Sequence, residues 1–387
     1  MKKVVYLDNN ATTMVAPEVF EAMNPFLTTL YGNPSSIHSF GGQVRKHVEK
    51  AREQVAVLLG ASPEEIVFTG GGSESDNTAI LGAIEMNGAG KKHIITTKVE
   101  HHAVFEVCGH LKKKGYRITE LGVDGKGALD LDELERAITP DTALVSIMWA
   151  NNETGVIFPI EKIVGIVKSK GVLFHTDAVQ VIGKIPIDLS KAPVDFLAAS
   201  GHKLHAPKGI GVSFIRKGLD WPPLIRGGHQ ENGKRAGTEN VPGIVGLGQA
   251  AELAMKYMED ENERVRRLRD KLEAGLISSC KDTRINGANR LPNTLNISFQ
   301  YIEGESILLM MNDLGICASS GSACTSGSLE PSHVLRAMGL PHSATHGSIR
   351  FSLSRYTTEQ EIDYVLLNVP KIIERLREIS PFTRRVS

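Results

Sequence analysis

From about residue 64 onward, short apolar runs of strand length take turns with stretches of helical pattern. EEIVFTG (64–70) reads as a strand closed by glycine, and SDNTAILGAIEM (75–86) reads as a helix. HIITTK and AVFEVCGHLKKKG repeat the pair. ALVSIMWA, VLFHTDA, FLAAS and GVSFI continue as strands, separated by helical stretches such as IEKIVGIVKSKG. Such alternation predicts an α/β fold, with a mostly parallel sheet covered by helices on both faces. In that architecture ligands gather at the carboxyl ends of the strands.

From about residue 243 the pattern changes. A long helical stretch with few breakers (AAELAMKYMEDENERVRRLRDKLEAGL) predicts a bridge to a second, smaller α+β domain. There NTLNISFQY and GSIRFSLSR read as strands, and Ile362, Val365, Leu366, Val369, Ile373 and Leu376 form a helical stripe despite Pro370. In GSIRFSL the alternation sets Ile349, Phe351 and Leu353 on one face and Ser348, Arg350 and Ser352 on the other. Arg350 therefore points away from the apolar layer.

Composition agrees with two cores: 387 residues at 41% hydrophobic can bury one large core and a second, smaller one. Lys+Arg and Asp+Glu both number 44, so no net field draws the chain toward nucleic acid or an anionic membrane. The apolar run before Asp8 is too short for a signal peptide, and no stretch is long and apolar enough to span a bilayer. A cytoplasmic protein with small-molecule or protein partners is expected. Cys108, Cys280, Cys317 and Cys324 make neither a disulfide framework nor a zinc-type spacing. Cys324 stands in ASSGSACTSGS, among the smallest side chains, where a cysteine kept for packing has nothing to pack against. The pattern suits a reactive thiol on a segment that costs little to displace.

Chemistry-bearing residues recur where the expected strands stop. After IVFTG comes GGGSES, so Gly72, Ser73 and nearby N–H groups open a helix as an anion site, or else as a tight turn with a serine N-cap. It has neither the G-x-G-x-x-G nor the G-x-S-x-G spacing. VEHHAV supplies His101 and His102, NNETG supplies Asn151 and Asn152, TDAVQ supplies Asp177 and Gln180, and SGHKLHAPKG supplies Ser200, His202, Lys203 and His205. Each alone has an ordinary explanation as a turn, a cap or a surface residue. Together, a phosphate site, a lysine in a Gly/Ser-bounded loop, an acid at a strand end and a flat ring meet the requirements of pyridoxal 5′-phosphate.

With these motifs set beside YLDNNATT, YGNPSSIH, RGGHQENGKRAGTEN, SGSACTSGSLEPSHV and SIRFSLSRYTTE, the chain resembles the cysteine desulfurases of the nitrogen-fixation and iron–sulfur-cluster (NifS/IscS) type over nearly its whole length. The resemblance implies the aspartate-aminotransferase-like fold type I, with residues 16–250 as the large cofactor-binding domain. Residues 1–15 and 251–387 would form the small domain, which carries a mobile cysteine loop. It also implies that Lys203 forms a Schiff base with pyridoxal 5′-phosphate, that Asp177 pairs with the ring nitrogen, and that His101 stacks on the ring and shuttles protons. Gln180 and Asn152 would reach the ring oxygen and the substrate. Gly72, Ser73, Ser200 and His202 would hold the phosphate, joined by Thr238 from the other subunit of a homodimer. Arg350 would clamp the carboxylate of L-cysteine. Cys324 would take the sulfur as a persulfide, releasing L-alanine, and pass it to an iron–sulfur scaffold protein of the NifU/IscU type, in nitrogen fixation or general cluster assembly. Ser73 stands where the family usually has threonine, which keeps the hydroxyl. A transaminase would share Lys203, Asp177 and Arg350 but have no use for Cys324. A selenocysteine lyase and a cofactor-free sulfur carrier or scaffold partner are the other readings.

Overall fold

The computed structural model describes residues 4–88, 90–320 and 331–380. Its centre is a seven-stranded sheet in the order Ile66–Thr69, Gly211–Ile215, Phe196–Ser200, Leu173–Asp177, Thr142–Ser146, His93–Thr97 and Arg117–Leu121. The strand Gly211–Ile215 runs antiparallel to both neighbours, and the remaining pairs are parallel. FLAAS and GVSFI are buried at every position, as expected of strands covered on both faces. Helices Gly72–Met86 and His102–Lys113 pack with Val67, Ile94 and Phe196 in one apolar cluster, while Ile160–Ser169 and Ser39–Leu59 contribute to a larger one. Burying each of these Leu, Ile, Val or Phe side chains is worth about 1.5–3 kcal/mol.

The long helix is Val241–Ser279, roughly 58 Å at 1.5 Å per residue. Its first half gives Val241, Ile244, Leu247 and Ala251 to the larger cluster, and its second half gives Val265, Leu268, Leu272 and Leu276 to a separate core. That separate core also holds the antiparallel sheet Ser348–Ser352, Thr294–Phe299 and Thr283–Ile285, together with the helices Gly304–Asp313 and Glu359–Ile379. Burial of Ile362, Val365, Val369, Ile372 and Ile373 outweighs the roughly 3 kcal/mol that Pro370 costs inside the last helix. Val5 and Leu7 join this core because the strand Val5–Tyr6 pairs in parallel with Ile316–Cys317. Leu291 and Val334 to Ala344 belong instead to the larger cluster, so the cores interlock across the long helix.

Each expected strand is present, although ALVSIMWA is a strand only over Thr142–Ser146. Among the elements that escape the sequence reading are the half-exposed edge strand Arg117–Leu121 and the helices Ser39–Leu59, Leu131–Ala137 and Gly304–Asp313. What matters for chemistry is that Ile66–Thr69, separated from Phe196–Ser200 by the antiparallel Gly211–Ile215, runs in the same direction as the parallel strands, so their carboxyl ends share one edge of the sheet, and the N-terminal segment crosses from Asp8 to Thr13 over that edge. Asp8 bridges Ser352 of the smaller sheet, and the Thr13 N–H donates to the His202 carbonyl at 2.9 Å.

Candidate active site

A cavity of about 340 Å³ opens beyond these strand ends. Gly72, Ser73, His101, Asp177 and Ser200 line it from the large sheet's carboxyl edge. Asn152, Gln180, His202, Lys203 and Arg350 complete the set brought together from the sequence. Thr238 is exposed and does not line this cavity. Cys324, with its flanking Gly321 and Gly327, lies outside the described residues.

The helix Gly72–Met86 begins without a side-chain cap. Its N-cap is Gly71, at φ 152°, a conformation that excludes a Cβ at little cost only for glycine, so the alternative of a serine N-cap does not hold. A Cβ on Gly72 would stand 2.7 Å from Val179 Cγ2 and 3.5 Å from Ser200 Cβ. The first-turn N–H groups therefore face a tight concavity floored by Ser200, the arrangement that holds an anion.

Asp177 is buried, and its Oδ1 accepts from the Val179 N–H at 2.8 Å. Burial raises its proton affinity, while His101, the Val179 N–H and Lys203 oppose that rise. Behind it Asp76 is also buried and held well above the usual carboxylate range, by burial first and then by Asp177 and Glu100; its Oδ1 has no hydrogen-bond partner among the described residues. His101 caps the helix His102–Lys113: its Nδ1 accepts from the Ala103 N–H at 3.2 Å, which assigns the proton of the neutral ring to Nε2. Burial lowers its pKa, so the neutral ring prevails near pH 7.

Lys203 closes the turn Gly201–Lys203 after the strand Phe196–Ser200. Its Nζ donates to the Asn10 and Ala11 carbonyls at 2.6 and 2.7 Å. His202 Nδ1 meets Thr12 Oγ1 at 3.1 Å, and burial with nearby lysines pushes its pKa down to about 4. Arg350 is 4% exposed; Nη2 donates to Asp8 Oδ1 at 2.8 Å, Nη1 to the Asn152 carbonyl at 3.0 Å, and Nε finds no partner among the described residues.

Other candidates go elsewhere. Asn151 folds its own turn, Oδ1 accepting from the N–H groups of Glu153 and Thr154. His102 packs its ring 5.3 Å from that of His333, and His205 Nδ1 meets the Met14 carbonyl at 3.0 Å. Sequence reasoning assigned no role to Asp8, Asn10, Asp76 and Glu153. Asn10 is 1% exposed and its carbonyl accepts from both Lys203 and Gln180. Glu153, pushed up to about 7 by burial, accepts from the Ser332 hydroxyl at 2.5 Å. Asp8 and Asn10 stand in YLDNNATT and Asp76 in GGGSESDN, so their motifs were visible while their contacts, hundreds of residues away in sequence, were not.

The donor set fits pyridoxal 5′-phosphate: an uncapped helix N-terminus for a dianion, a buried acid for a ring nitrogen, and a lysine amine in the same cavity. Comparison with known proteins points the same way. The model of the aminotransferase class-V family matches residues 5–365. A cysteine desulfurase of Trichormus azollae is 61% identical over 381 residues, 98% of this chain and 95% of that protein. The cysteine desulfurase NifS of Azotobacter vinelandii is 57% identical over 98% of this chain and 94% of that protein. A solved NifS-like protein superposes with a TM-score of 0.91 at 44% identity, covering 97% of this chain and all of the other.

Proposed function

The chain belongs to the aminotransferase class-V family, in its cysteine desulfurase branch, and from that membership we propose that this cavity binds pyridoxal 5′-phosphate and L-cysteine and moves the substrate's sulfur to Cys324. The observation that carries the reading is the convergence of Lys203, Asp177, the uncapped helix at Gly72 and the buried Arg350 on one cavity.

Gly72, Ser73, Ser200 and His202 hold the phosphate, and Asp177 pairs with the ring nitrogen through a charge-assisted hydrogen bond worth about 1.5–3 kcal/mol. When bound, the cofactor supplies an electron sink for the pair released at the substrate's carbon. Lys203 provides the amine that anchors it and then exchanges protons with the substrate. His101, which lines the cavity with its proton on Nε2, would stack on the ring and pass protons. Gln180 and Asn152 orient the ring oxygen and the substrate. Arg350 takes the substrate carboxylate in the planar geometry that suits guanidinium. The substrate's Cβ–S bond breaks with its electron pair left on carbon, the Cys324 thiolate forms the S–S bond, and a proton completes the methyl group of L-alanine. No outside oxidant is needed, because the persulfide and the alanine balance two cysteines.

The protein is a homodimer in this proposal, with the partner subunit's Thr238 on the phosphate. Thr238 is exposed, and the exposed apolar residues Leu27, Tyr31, Ile37 and Phe40, the last with its ring 5.1 Å from that of Tyr31, support a covered face. The proposed domain division is 16–250 against 1–15 with 251–387; in its support the helix Val241–Ser279 gives its first half to the larger cluster and its second half to the smaller core, while Leu291 and Val334 to Ala344 pack with the larger cluster. The acceptor is an iron–sulfur scaffold protein of the NifU/IscU type, and the location is the cytoplasm; no described helix is long and apolar enough to cross a membrane. Purified protein should show a visible absorption band and make alanine from cysteine. Lys203→Ala should lose both the covalent link and turnover; a Lys203→Ala protein that still produced alanine at the wild-type rate would remove the mechanism.

A further inference from the structure

The helix Gly72–Met86, which opens the phosphate cradle, carries an acidic residue, Glu74, in its first turn. Glu74 does not line the cavity. Its side chain folds back behind the turn that precedes the helix, where Oε2 accepts from the Gly70 N–H at 2.8 Å. Arg235 meets the same carboxylate with two nitrogens, Nε on Oε1 at 2.9 Å and Nη2 on Oε2 at 3.3 Å. The pair is largely shielded from water, with 26% of the arginine side chain and 18% of the glutamate side chain exposed. The turn from Gly70 to Gly72 therefore has Ser200 on its cavity side and the Glu74–Arg235 pair behind it.

Arg235 starts from a segment that is itself pinned. Four residues before it, Glu231 sits at φ 49°, a conformation a non-glycine residue keeps only where its surroundings enforce it. Its carboxylate points inward, with Oε2 2.8 Å from Arg52 Nη1 and Oε1 2.9 Å from Arg52 Nη2. Oε2 also accepts from the Phe68 N–H at 2.9 Å, and Arg52 Nη1 donates to the Ile66 carbonyl at 2.8 Å. Both side chains of this ion pair are buried, and removing one partner would leave the other charge uncompensated. Ile66 and Phe68 belong to the strand that runs into the cradle, so the segment bearing Arg235 and that strand are held as one piece. Glu231 is committed to Arg52, which leaves Arg235 for Glu74.

We propose that Arg235 is a positioning residue for the cofactor phosphate: it cancels the Glu74 charge in the first turn of the helix and holds Glu74 against the Gly70 N–H, so that the turn keeps the cradle's shape. The positive end of a helix attracts any anion near it, a side-chain carboxylate as well as a phosphate. An uncompensated Glu74 would occupy that potential and repel the incoming dianion. Both consequences of losing Arg235, a loose turn and a free carboxylate, act in the same direction. The inference rests on the phosphate assignment above.

The test measures, by titration calorimetry on cofactor-free full-length protein, the affinity for pyridoxal 5′-phosphate and for pyridoxal, which has the same ring and aldehyde but no phosphate. Arg235→Gln should weaken pyridoxal 5′-phosphate about tenfold and leave pyridoxal within about twofold. Glu74→Gln keeps an acceptor for the Gly70 N–H without the charge, and should bind pyridoxal 5′-phosphate at least as tightly as wild type. The double variant Arg235→Gln/Glu74→Gln should recover to within about threefold of wild type, a rescue that a purely structural brace would not show. Arg235→Met serves if Arg235→Gln does not fold, and must weaken the phosphorylated ligand in the same way. Wild-type affinity in the Arg235 variant, equal weakening of both ligands, or a double variant no better than the single one overturns the inference alone. Wild-type protein that binds pyridoxal as tightly as pyridoxal 5′-phosphate overturns the phosphate assignment and this inference with it.

Discussion

Arg350 shows at the residue scale how sequence and structure divide the work. The alternation in GSIRFSL turns its side chain away from Ile349 and Phe351, and both neighbours are fully buried in the smaller core. What the pattern could not show is that the opposite face is also buried, closed by Asp8 and the Asn152 carbonyl from distant parts of the chain. A desolvated guanidinium with a spare donor is a strong carboxylate site, and removing one partner of such a pair costs about 3–5 kcal/mol. Arg350→Ala should therefore lower kcat/KM for cysteine by about two to nearly four decades. Steady-state kinetics beside an exposed control such as Arg267→Ala decide it, and a loss under about fivefold, below roughly 1 kcal/mol, would mean Arg350 is not the clamp.

Between elements, the site depends on how strand ends are tied together. Glu100 follows the strand His93–Thr97; its Oε1 accepts from Thr97 Oγ1 at 2.7 Å and from the Met148 N–H at 3.1 Å, which joins the ends of two neighbouring strands. Burial pushes its pKa up to about 8 from the ordinary 4.5. The folded chain thus keeps a proton that the unfolded chain loses above 4.5, so this contribution is fully present below about 4.5 and is lost progressively as pH rises from there to about 8. Glu100→Gln imitates the protonated form. Its melting temperature should match wild type near pH 4 and exceed it by a growing margin up to about pH 8, by differential scanning calorimetry; an equal melting temperature at pH 4 and pH 9 would show that the fold does not raise the Glu100 pKa.

Most of the elements were legible because buried parallel strands are short apolar runs and amphipathic helices carry stripes. Arg117–Leu121 was missed since its alternation is broken by exposure at a sheet edge, and the N-terminal segment was legible as a motif but not as a wall of the site. Its residues Asp8 and Asn10 act through contacts with Arg350, Lys203 and Gln180, and pairings across such separations leave no periodicity to read.

For the whole molecule, the cavity contains every described residue to which the resemblance assigns a site role except Thr238; Cys324 lies outside the described residues. If the partner subunit's Thr238 completes the phosphate site, an inactive Lys203→Ala subunit mixed with a severely impaired Thr238→Val subunit should regain activity in the heterodimer. Activity that stays at the level of the separate parents would contradict a shared site. The central claim is that sulfur passes from cysteine to Cys324 under the control of this cavity. Its most direct measurement is peptide mass spectrometry of the protein after one turnover with L-cysteine, with alanine counted in the same sample. The account predicts one added sulfur atom on the Cys324 peptide for each alanine formed, and none in Lys203→Ala. Alanine formed with the added sulfur on Cys317, or on no cysteine at all, would contradict it.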